Sequence, residues 1–113
     1  MKKLGSFMLV LLTFLTLTFA RPALAVEPSN GAQIFAQNCA SCHANGGNII
    51  RRGKNLKKRA LKWHKKYSIE AITTLVKEGK YAMPAYADRL SEEEIESVAA
   101  YVLKQADNNW KSE

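Results

Sequence analysis

The chain has 113 residues, of which 17 are Lys or Arg and 10 are Asp or Glu, so its formal charge is +7. This length excludes more than one ordinary domain. The first segment of the sequence, at the N-terminus, is predicted not to belong to that domain.

The N-terminal segment has the pattern of a secretory signal peptide. Lys2 and Lys3 precede an apolar run over residues 7–20, and residues 23–25 (Ala-Leu-Ala) supply the small-x-small pattern of a cleavage site. The run is short for a membrane span, which needs about 20 residues. We therefore predict cleavage after Ala25, with an uncleaved anchor as the alternative.

The exported part, residues 26–113, is the predicted domain, and its 14 Lys and Arg against 10 Asp and Glu give a formal charge of +4. Export separates it from nucleic acid, which we exclude as a partner. A domain this small buries only about 60% of the surface that its unfolded chain exposes, and it often needs a staple. A disulfide between Cys39 and Cys42 would close too short a loop to constrain much. A cofactor that fills the core would stabilise it better.

The next elements in chain order are two helices separated by a turn. Pro28, Ser29 and Asn30 are typical of a helix start, and this helix is predicted to end near Cys39. An Asn-Gly-Gly-Asn cluster at residues 45–48 predicts the turn. A second, very basic helix is predicted from Asn55 to about Lys66.

Two more helices follow, each with its own boundary signals. Ser68 is placed to cap a helix that Gly79 ends. Residues 80–90 form a loop that contains Met83 and a following proline. Ser91-Glu92-Glu93-Glu94 is a capping box at the start of the last helix. Without a convincing strand pattern, the fold is predicted to be all-α.

Cys39-Ala40-Ser41-Cys42-His43 is the strongest chemical signal in the chain. C-x-x-C-H is the attachment pattern of c-type haem. On a helical turn the two thiols reach the two vinyl groups of the porphyrin, and the adjacent His43 is brought beneath the iron as an axial ligand. This attachment takes place after export, in agreement with the predicted signal peptide.

Other roles for these residues stay open at this point. A disulfide or a thioredoxin-like redox pair would use Cys39 and Cys42. A redox pair of that kind occurs near a βαβ pattern, which is not found in this sequence. A structural zinc site would use both cysteines with His43 and His64, although adjacent Cys42 and His43 depart from the usual spacing.

Met83 is the candidate for the sixth position on the iron. It is the sole methionine of residues 26–113 and lies in an Ala-Met-Pro loop. A thioether favours ferrous iron, so His/Met ligation raises the reduction potential. Two axial ligands also leave no vacancy for oxygen or peroxide, which favours electron transfer over catalysis. His64 is the rival ligand, and a role for Met83 as core filler is the structural alternative.

The order and spacing of these motifs resemble the cytochrome c6 family, the small photosynthetic class I cytochromes of cyanobacteria and algae. The resemblance covers essentially all of residues 26–113. The matching runs are Asn30-Gly31-Ala32 with Phe35, Asn38 to His43, Gly46-Gly47-Asn48, Leu56 to Leu61, Gly79-Lys80, Ala82 to Ala85, Arg89-Leu90, Val98 to Leu103 and Trp110.

The resemblance implies a class I cytochrome c fold, with four to five short helices around one covalently bound haem c. It implies that Cys39 and Cys42 form the thioethers and that His43 and Met83 are the axial ligands. It further implies that the first helix, with Gly31 and Phe35, crosses the last at Tyr101. We expect Trp110 to pack within the protein, whereas the sequence does not decide between packing and partner contact for Trp63.

The role that the resemblance implies is that of a diffusible electron carrier, not an enzyme. It would run from the cytochrome b6f complex to photosystem I in the thylakoid lumen, with the periplasm as the alternative location. Where many members have glutamines before Gly79, this chain has Leu75-Val76-Lys77. Since polar groups near the haem tune its potential, Leu75 favours as an alternative a variant of lower potential with another partner. A small haem enzyme or sensor with a displaceable Met83 is the further alternative.

The charge distribution predicts how partners are met. Residues 51–66 carry nine Lys and Arg without an acid, and residues 88–96 carry five carboxylates against Arg89. Such a dipole steers the approach of partners. The resemblance places Arg89 near a docking surface, and Lys57, Lys58 and Arg59 are the basic candidates. We expect a monomer with small, transient interfaces and an anionic membrane surface as a secondary contact.

Overall fold

The structure, a computed structural model, describes residues 28–112, with side chains from residue 30 onward. The signal peptide predicted at residues 1–25 lies outside the described residues. The described part contains five α-helices, two 3₁₀ turns and no strand. The helices are α1 (Pro28–Asn38), α2 (Ala40–His43), α3 (Lys58–Trp63), α4 (Ile69–Glu78) and α5 (Glu92–Asp107), and the 3₁₀ turns are Ala44–Gly46 and Arg52–Lys54. The predicted all-α fold is confirmed.

The boundary signals of α4 and α5 act as the sequence predicts. The Ser68 hydroxyl accepts a hydrogen bond from the Ala71 amide at 3.1 Å, and Gly79 ends α4 with φ at +67°. At α5 both hydrogen bonds of the capping box are present, because Ser91 accepts from the Glu94 amide and Glu94 accepts from the Ser91 amide. Gly79 and the capping box at Ser91 thus define the two ends of the loop that carries Met83.

The basic helix predicted for residues 55–66 is shorter than expected. It runs over Lys58–Trp63 because Asn55 does not enter it: its side chain accepts a hydrogen bond from the Lys57 amide at 3.0 Å and holds a turn instead. At the other end, Lys65 adopts φ of 56°, which is incompatible with a continuing right-handed helix. Asn side chains commonly form local turns of this kind in place of helix.

The core lies where α1 crosses α5. This confirms the crossing of the first and last helices that the family resemblance implies. A Cβ on Gly31 would lie 2.2 Å from the Ser97 carbonyl oxygen and 2.8 Å from Tyr101 Cβ, so only glycine allows this approach. The rings of Phe35 and Tyr101 pack beside it with centroids 5.4 Å apart. The buried apolar residues are Ile34, Phe35, Leu61, Ile72, Val76, Tyr86, Ile95, Val98, Ala99, Val102 and Ala106.

Over residues 28–112, no helix is both long enough and apolar enough to cross a membrane.

Candidate haem site

The turn that carries Cys39 and Cys42 follows directly from the end of α1. The Cys39 amide donates to the Phe35 carbonyl at 2.8 Å, and the Cys39 carbonyl accepts from the His43 amide at 2.9 Å. The backbone is therefore helical on both sides of Cys39, with α2 starting one residue later. Residues three apart on a helical turn lie on one face. The two thiols are free, half-buried and one turn apart.

The chemical state of Cys39 does not suit a redox pair. Burial raises the pKa of the Cys39 thiol to about 11, so the thiol is neutral near pH 7. Disulfide exchange needs a thiolate, and redox-active cysteines have lowered pKa values for that reason. A thioredoxin-like redox role for Cys39 is therefore disfavoured.

The imidazole of His43 is oriented by one hydrogen bond. Its Nδ1 lies 2.8 Å from the carbonyl oxygen of Gly47. Because a carbonyl oxygen can only accept, Nδ1 carries the proton and donates, and Nε2 keeps its lone pair. A partner of this kind fixes the tautomer and raises the basicity of a ligating histidine. Asn45 and Gly46, with φ of 53° and 74°, turn the chain back so that this carbonyl meets the ring.

Trp110, near the C-terminal end, holds that turn in place. Its indole Nε1 donates to the Leu56 carbonyl at 3.0 Å, and the Leu56 amide donates to the Gly46 carbonyl at 2.8 Å. A Cβ on Gly46 would lie 2.4 Å from the same indole nitrogen, so the backbone passes directly against the ring. The predicted packing of Trp110 is confirmed, and its hydrogen bond connects the end of the chain to the loop that orients His43.

Met83 lies half-buried against the core in a loop with a fixed shape. The Lys80 amide donates to the Met83 carbonyl and the Met83 amide donates to the Lys80 carbonyl, each at 3.0 Å. The loop backbone passes over Gly79, where a Cβ would lie 2.6 Å from the Met83 carbonyl oxygen and 2.7 Å from the Ala85 nitrogen. Leu75, also half-buried, contributes its carbonyl to the end of α4 by accepting from the Gly79 amide.

Tyr86 is a site residue that the sequence analysis missed. Its side chain is 8% exposed, and its hydroxyl donates to the Asn38 carbonyl at 2.9 Å. Its amide also donates to the Val76 carbonyl at 2.9 Å. Tyr86 therefore joins the Met83 loop to both α4 and the residue before Cys39. The available signal was its size, because it is the one aromatic residue in the stretch 82–88.

The zinc alternative is not assembled in the part of the chain that the structure describes. No group of three or more His, Cys, Asp or Glu there could hold a metal ion. His64, the fourth ligand in that reading and the rival ligand to Met83, has its Nε2 3.2 Å from the Gly53 carbonyl.

The predicted docking residues lie in two different settings. Arg89 is exposed, and its guanidinium carbon is 5.4 Å from the centroid of the Tyr86 ring. Lys57 and Arg59 are exposed at the start of α3. Lys58, between them, forms an ion pair with Asp107 at 2.8 Å, which leaves it less available to a partner than its neighbours.

The residues at this site fit a covalently bound haem. Two free thiols one helical turn apart match the attachment of two vinyl groups. In the neutral imidazole beside them, Nε2 is the nitrogen left for iron, because Nδ1 donates to the Gly47 carbonyl. A thioether, the soft neutral donor that haem iron accepts, lies in a loop tied to the same turn through Tyr86. The donor set is that of a c-type cytochrome.

Comparison with known proteins gives the same result over the whole chain. A family profile described as "Cytochrome C oxidase, cbb3-type, subunit III" matches residues 26–102. The chain is 53% identical to a "Cytochrome c6-like" protein of Nostoc sp. strain PCC 7120 over 98% of this chain and 100% of that protein. It is 51% identical to a "Cytochrome c6" of the same organism, with the same coverage. The chain belongs to the cytochrome c6 family.

A solved structure agrees with this assignment. The fold matches crystalline cytochrome c6C from Synechococcus sp. PCC 7002 with a TM-score of 0.68 and 58% identity, over 70% of this chain and 96% of that one. As a member of this family, the protein carries one covalently bound haem c, takes part in photosynthetic electron transport and is not an enzyme. Its contacts with electron-transfer partners are transient.

Proposed function

We propose that this protein carries electrons from the cytochrome b6f complex to photosystem I in the thylakoid lumen, after cleavage of residues 1–25. Cys39 and Cys42 form the thioether bonds, and His43 and Met83 are the axial ligands. When bound, the haem c supplies a reversible one-electron change at its iron. The protein's own residues bind the haem, supply the two axial ligands of its iron and limit access to the iron.

The hydrogen bond from His43 Nδ1 to the Gly47 carbonyl is the observation that carries this proposal. It fixes the one tautomer in which Nε2 has a lone pair for iron, and it does so through a turn that Trp110 holds. The ring orientation is thus built into the fold.

The geometry of the Met83 loop supports the second ligand. The paired hydrogen bonds with Lys80 and the close passage over Gly79 hold the backbone of Met83 in one arrangement. The side chain is half-buried against the core, where a thioether is well accommodated. With both axial positions filled by the protein, a substrate has no coordination site, and the function that remains is electron transfer.

Contact with the electron-transfer partners is proposed at the surface of the Met83 loop. Arg89 lies there in exposed position, held beside the Tyr86 ring. A carrier must dissociate after each transfer, so we expect an interface below about 1,200 Å². The cations of α3 are the second predicted docking element.

The test is the midpoint potential of the haem-loaded protein, recorded with its oxidised and reduced absorption spectra. We expect a high potential and a sulfur-to-ferric-iron band, and we expect Met83→Ala to abolish the band and lower the potential. The reduced protein should not bind carbon monoxide at neutral pH. Binding of carbon monoxide, or absence of the band from the unmodified protein, would contradict Met83 ligation and reopen His64 or an open site.

A second candidate function, a carrier of lower potential for another partner, is favoured by two observations. The relative at 53% identity is a "Cytochrome c6-like" protein, and the solved structure at 58% identity is a c6C. Leu75 also stands where many c6 proteins have a glutamine, and an apolar side chain there would remove a polar influence on the haem. A low potential with the sulfur band intact would select this candidate. Leu75→Gln should then raise the potential.

A further inference from the structure

Trp63 is the most exposed large apolar side chain among the described residues, with 82% of its surface accessible. It lies at the end of α3 and separates two shallow hollows. One, of about 640 Å³, is lined by Lys58, Arg59, Lys62, Trp63 and Asn109. The other, of about 380 Å³, is lined by Gly53, Asn55, Lys57, Arg59, Ala60, Trp63 and His64. The indole thus forms a ridge between two open surfaces with cationic borders.

The charge around this ridge is of one sign and is mostly not neutralised within the protein. Residues 51–66 contain nine Lys and Arg and no acid. Within residues 28–112, Lys58 is the member of this segment that forms an ion pair, with Asp107. Lys58 and Lys62 also stack on the Tyr67 ring, at 5.3 Å and 5.1 Å from its centroid. Lys57 and Arg59 are exposed near the start of the helix.

We infer that the α3 face, defined by Lys57, Arg59, Lys62 and Trp63, binds the surface of an anionic lipid bilayer. An exposed indole prefers the boundary between headgroups and hydrocarbon. Cations beside it are attracted to anionic headgroups, and the combination of the two is typical of proteins that lie on membranes. The hollows are open and shallow, which suits mobile headgroups better than a shaped protein partner.

This inference goes beyond the proposed function, although it agrees with it. A carrier between two membrane complexes would stay close to both while α3 rests on the bilayer. The attraction is electrostatic and is screened within about 8 Å at physiological ionic strength, so the contact is weak and reversible. The same protein can therefore leave the membrane surface and diffuse.

The test is co-sedimentation of the haem-loaded exported protein with vesicles, followed by haem absorbance. Vesicles of phosphatidylcholine mixed with phosphatidylglycerol are compared with vesicles of phosphatidylcholine alone, at low salt. We expect binding only to the mixed vesicles. Arg59→Gln should bind about fivefold more weakly, and Trp63→Ala about tenfold more weakly because its interfacial burial is lost.

Lys77→Gln is the matched control, because it makes the same charge change on α4, away from this face, and should bind like the unmodified protein. Trp63 and Arg59 are exposed, so both variants should keep the haem spectrum and the helical circular dichroism. Equal binding of Trp63→Ala and the unmodified protein would overturn the inference. Equal binding of the unmodified protein to neutral and to anionic vesicles would also overturn it.

The alternative is that the α3 face binds a protein partner instead of a bilayer. A second experiment distinguishes the two. Electron transfer is measured to photosystem I in detergent, where no bilayer is present. If Trp63→Ala slows this reaction while vesicle binding is unchanged, α3 docks protein and the inference is wrong. If the unmodified protein fails to reduce photosystem I yet binds anionic vesicles, the proposed function fails and the inference stands.

Discussion

The Tyr86 hydroxyl donates a 2.9 Å hydrogen bond to the backbone carbonyl of Asn38. Tyr86 follows Met83 by three residues, and Asn38 directly precedes Cys39. The contact joins the loop that carries Met83, the proposed sixth ligand, to the turn that carries the proposed attachment cysteines. These two segments are 48 positions apart at this bond. The relative placement of the two sides of the haem site thus depends on one buried phenol.

Tyr86→Phe should loosen the Met83 loop without unfolding the protein. The ring keeps its buried position, but the Asn38 carbonyl loses its donor, which should lower the free energy of unfolding by about 1 kcal/mol. We also expect the sulfur-to-iron band to disappear at a lower temperature than in the unmodified protein. Thermal scans followed at that band and by circular dichroism measure both effects.

Tyr81→Phe is the matched control for this experiment. It removes a hydroxyl from a tyrosine of the same loop, but one that is 78% exposed. We expect both scans to coincide with those of the unmodified protein. Equal shifts in the two variants would mean that the Tyr86 hydroxyl has no special role in placing the loop.

Gly79→Ala should displace Met83 more severely. With φ of +67° and ψ of 173°, Gly79 has a backbone conformation that costs other residues roughly 1–3 kcal/mol, and the new Cβ would meet the Met83 carbonyl oxygen at 2.6 Å. The backbone of the loop must move away, so we expect a weaker sulfur band and a lower midpoint potential. Potentiometric titration with parallel spectra gives both values.

Gly53→Ala offers the corresponding control within the same chain. Its added Cβ would have no heavy atom within 4 Å, and its φ lies outside the left-handed region. The potential and the band should therefore stay as they are. A similar fall in both alanine variants would point to a general loss of stability instead of a displaced ligand.

Trp110→Phe tests how much Trp110 stabilises the turn that meets His43. Phenylalanine keeps an aromatic ring near Phe35, whose centroid is 5.2 Å from that of Trp110, but it cannot donate to the Leu56 carbonyl. The free energy of unfolding should fall by roughly 1–2 kcal/mol, since a half-buried carbonyl loses its partner and the ring is smaller. Denaturant titration measures this change, and Trp63→Phe, at the exposed tryptophan, should leave the midpoint unchanged.

Local signals in the sequence predicted the ends of α4 and α5 because each signal acts within a few residues. Ser68 and the capping box at Ser91 satisfy amides three positions away, and Gly79 supplies its own left-handed turn. The α1–α5 crossing was accessible only through the family resemblance. Helical period alone reports which face of a helix is apolar, and it does not report which helix that face meets.

The hydrogen bonds that shape the site could not be predicted in this way. The contact of His43 with Gly47 requires a non-glycine residue, Asn45, in the left-handed region, and the bond from Tyr86 to Asn38 spans distant segments. Asn55 was assigned to a helix because its neighbours have helical spacing. Its side chain instead holds a turn. Which donor meets which carbonyl depends on packing that a single sequence does not specify.

Asp107 should give the stability of the protein a defined dependence on pH. Its carboxylate accepts hydrogen bonds from Lys58 at 2.8 Å and from the Tyr67 hydroxyl at 2.5 Å. The hydrogen bond from Lys58, followed by that from Tyr67, lowers the pKa of Asp107 below its ordinary value of 3.8. The bond to Asp107 in turn raises the pKa of Lys58 above 10.5.

The sign follows from these two shifts. A lowered carboxyl pKa contributes stability that is present above pH 3.8 and is lost as the pH falls through the folded-state value. A raised lysine pKa contributes stability that is present below pH 10.5 and is lost as the pH rises through the folded-state value. Between these limits the contribution is constant.

Asp107→Asn removes the carboxylate and should be less stable than the unmodified protein between these limits. The difference should shrink below about pH 4 and again above about pH 10.5, and it should be small because the pair is exposed to solvent. Denaturant unfolding of both proteins across this range measures it, with Glu96→Gln as an exposed carboxylate of the same helix for comparison. A difference that does not change with pH would show that the network of Asp107, Lys58 and Tyr67 acts through packing and not through charge.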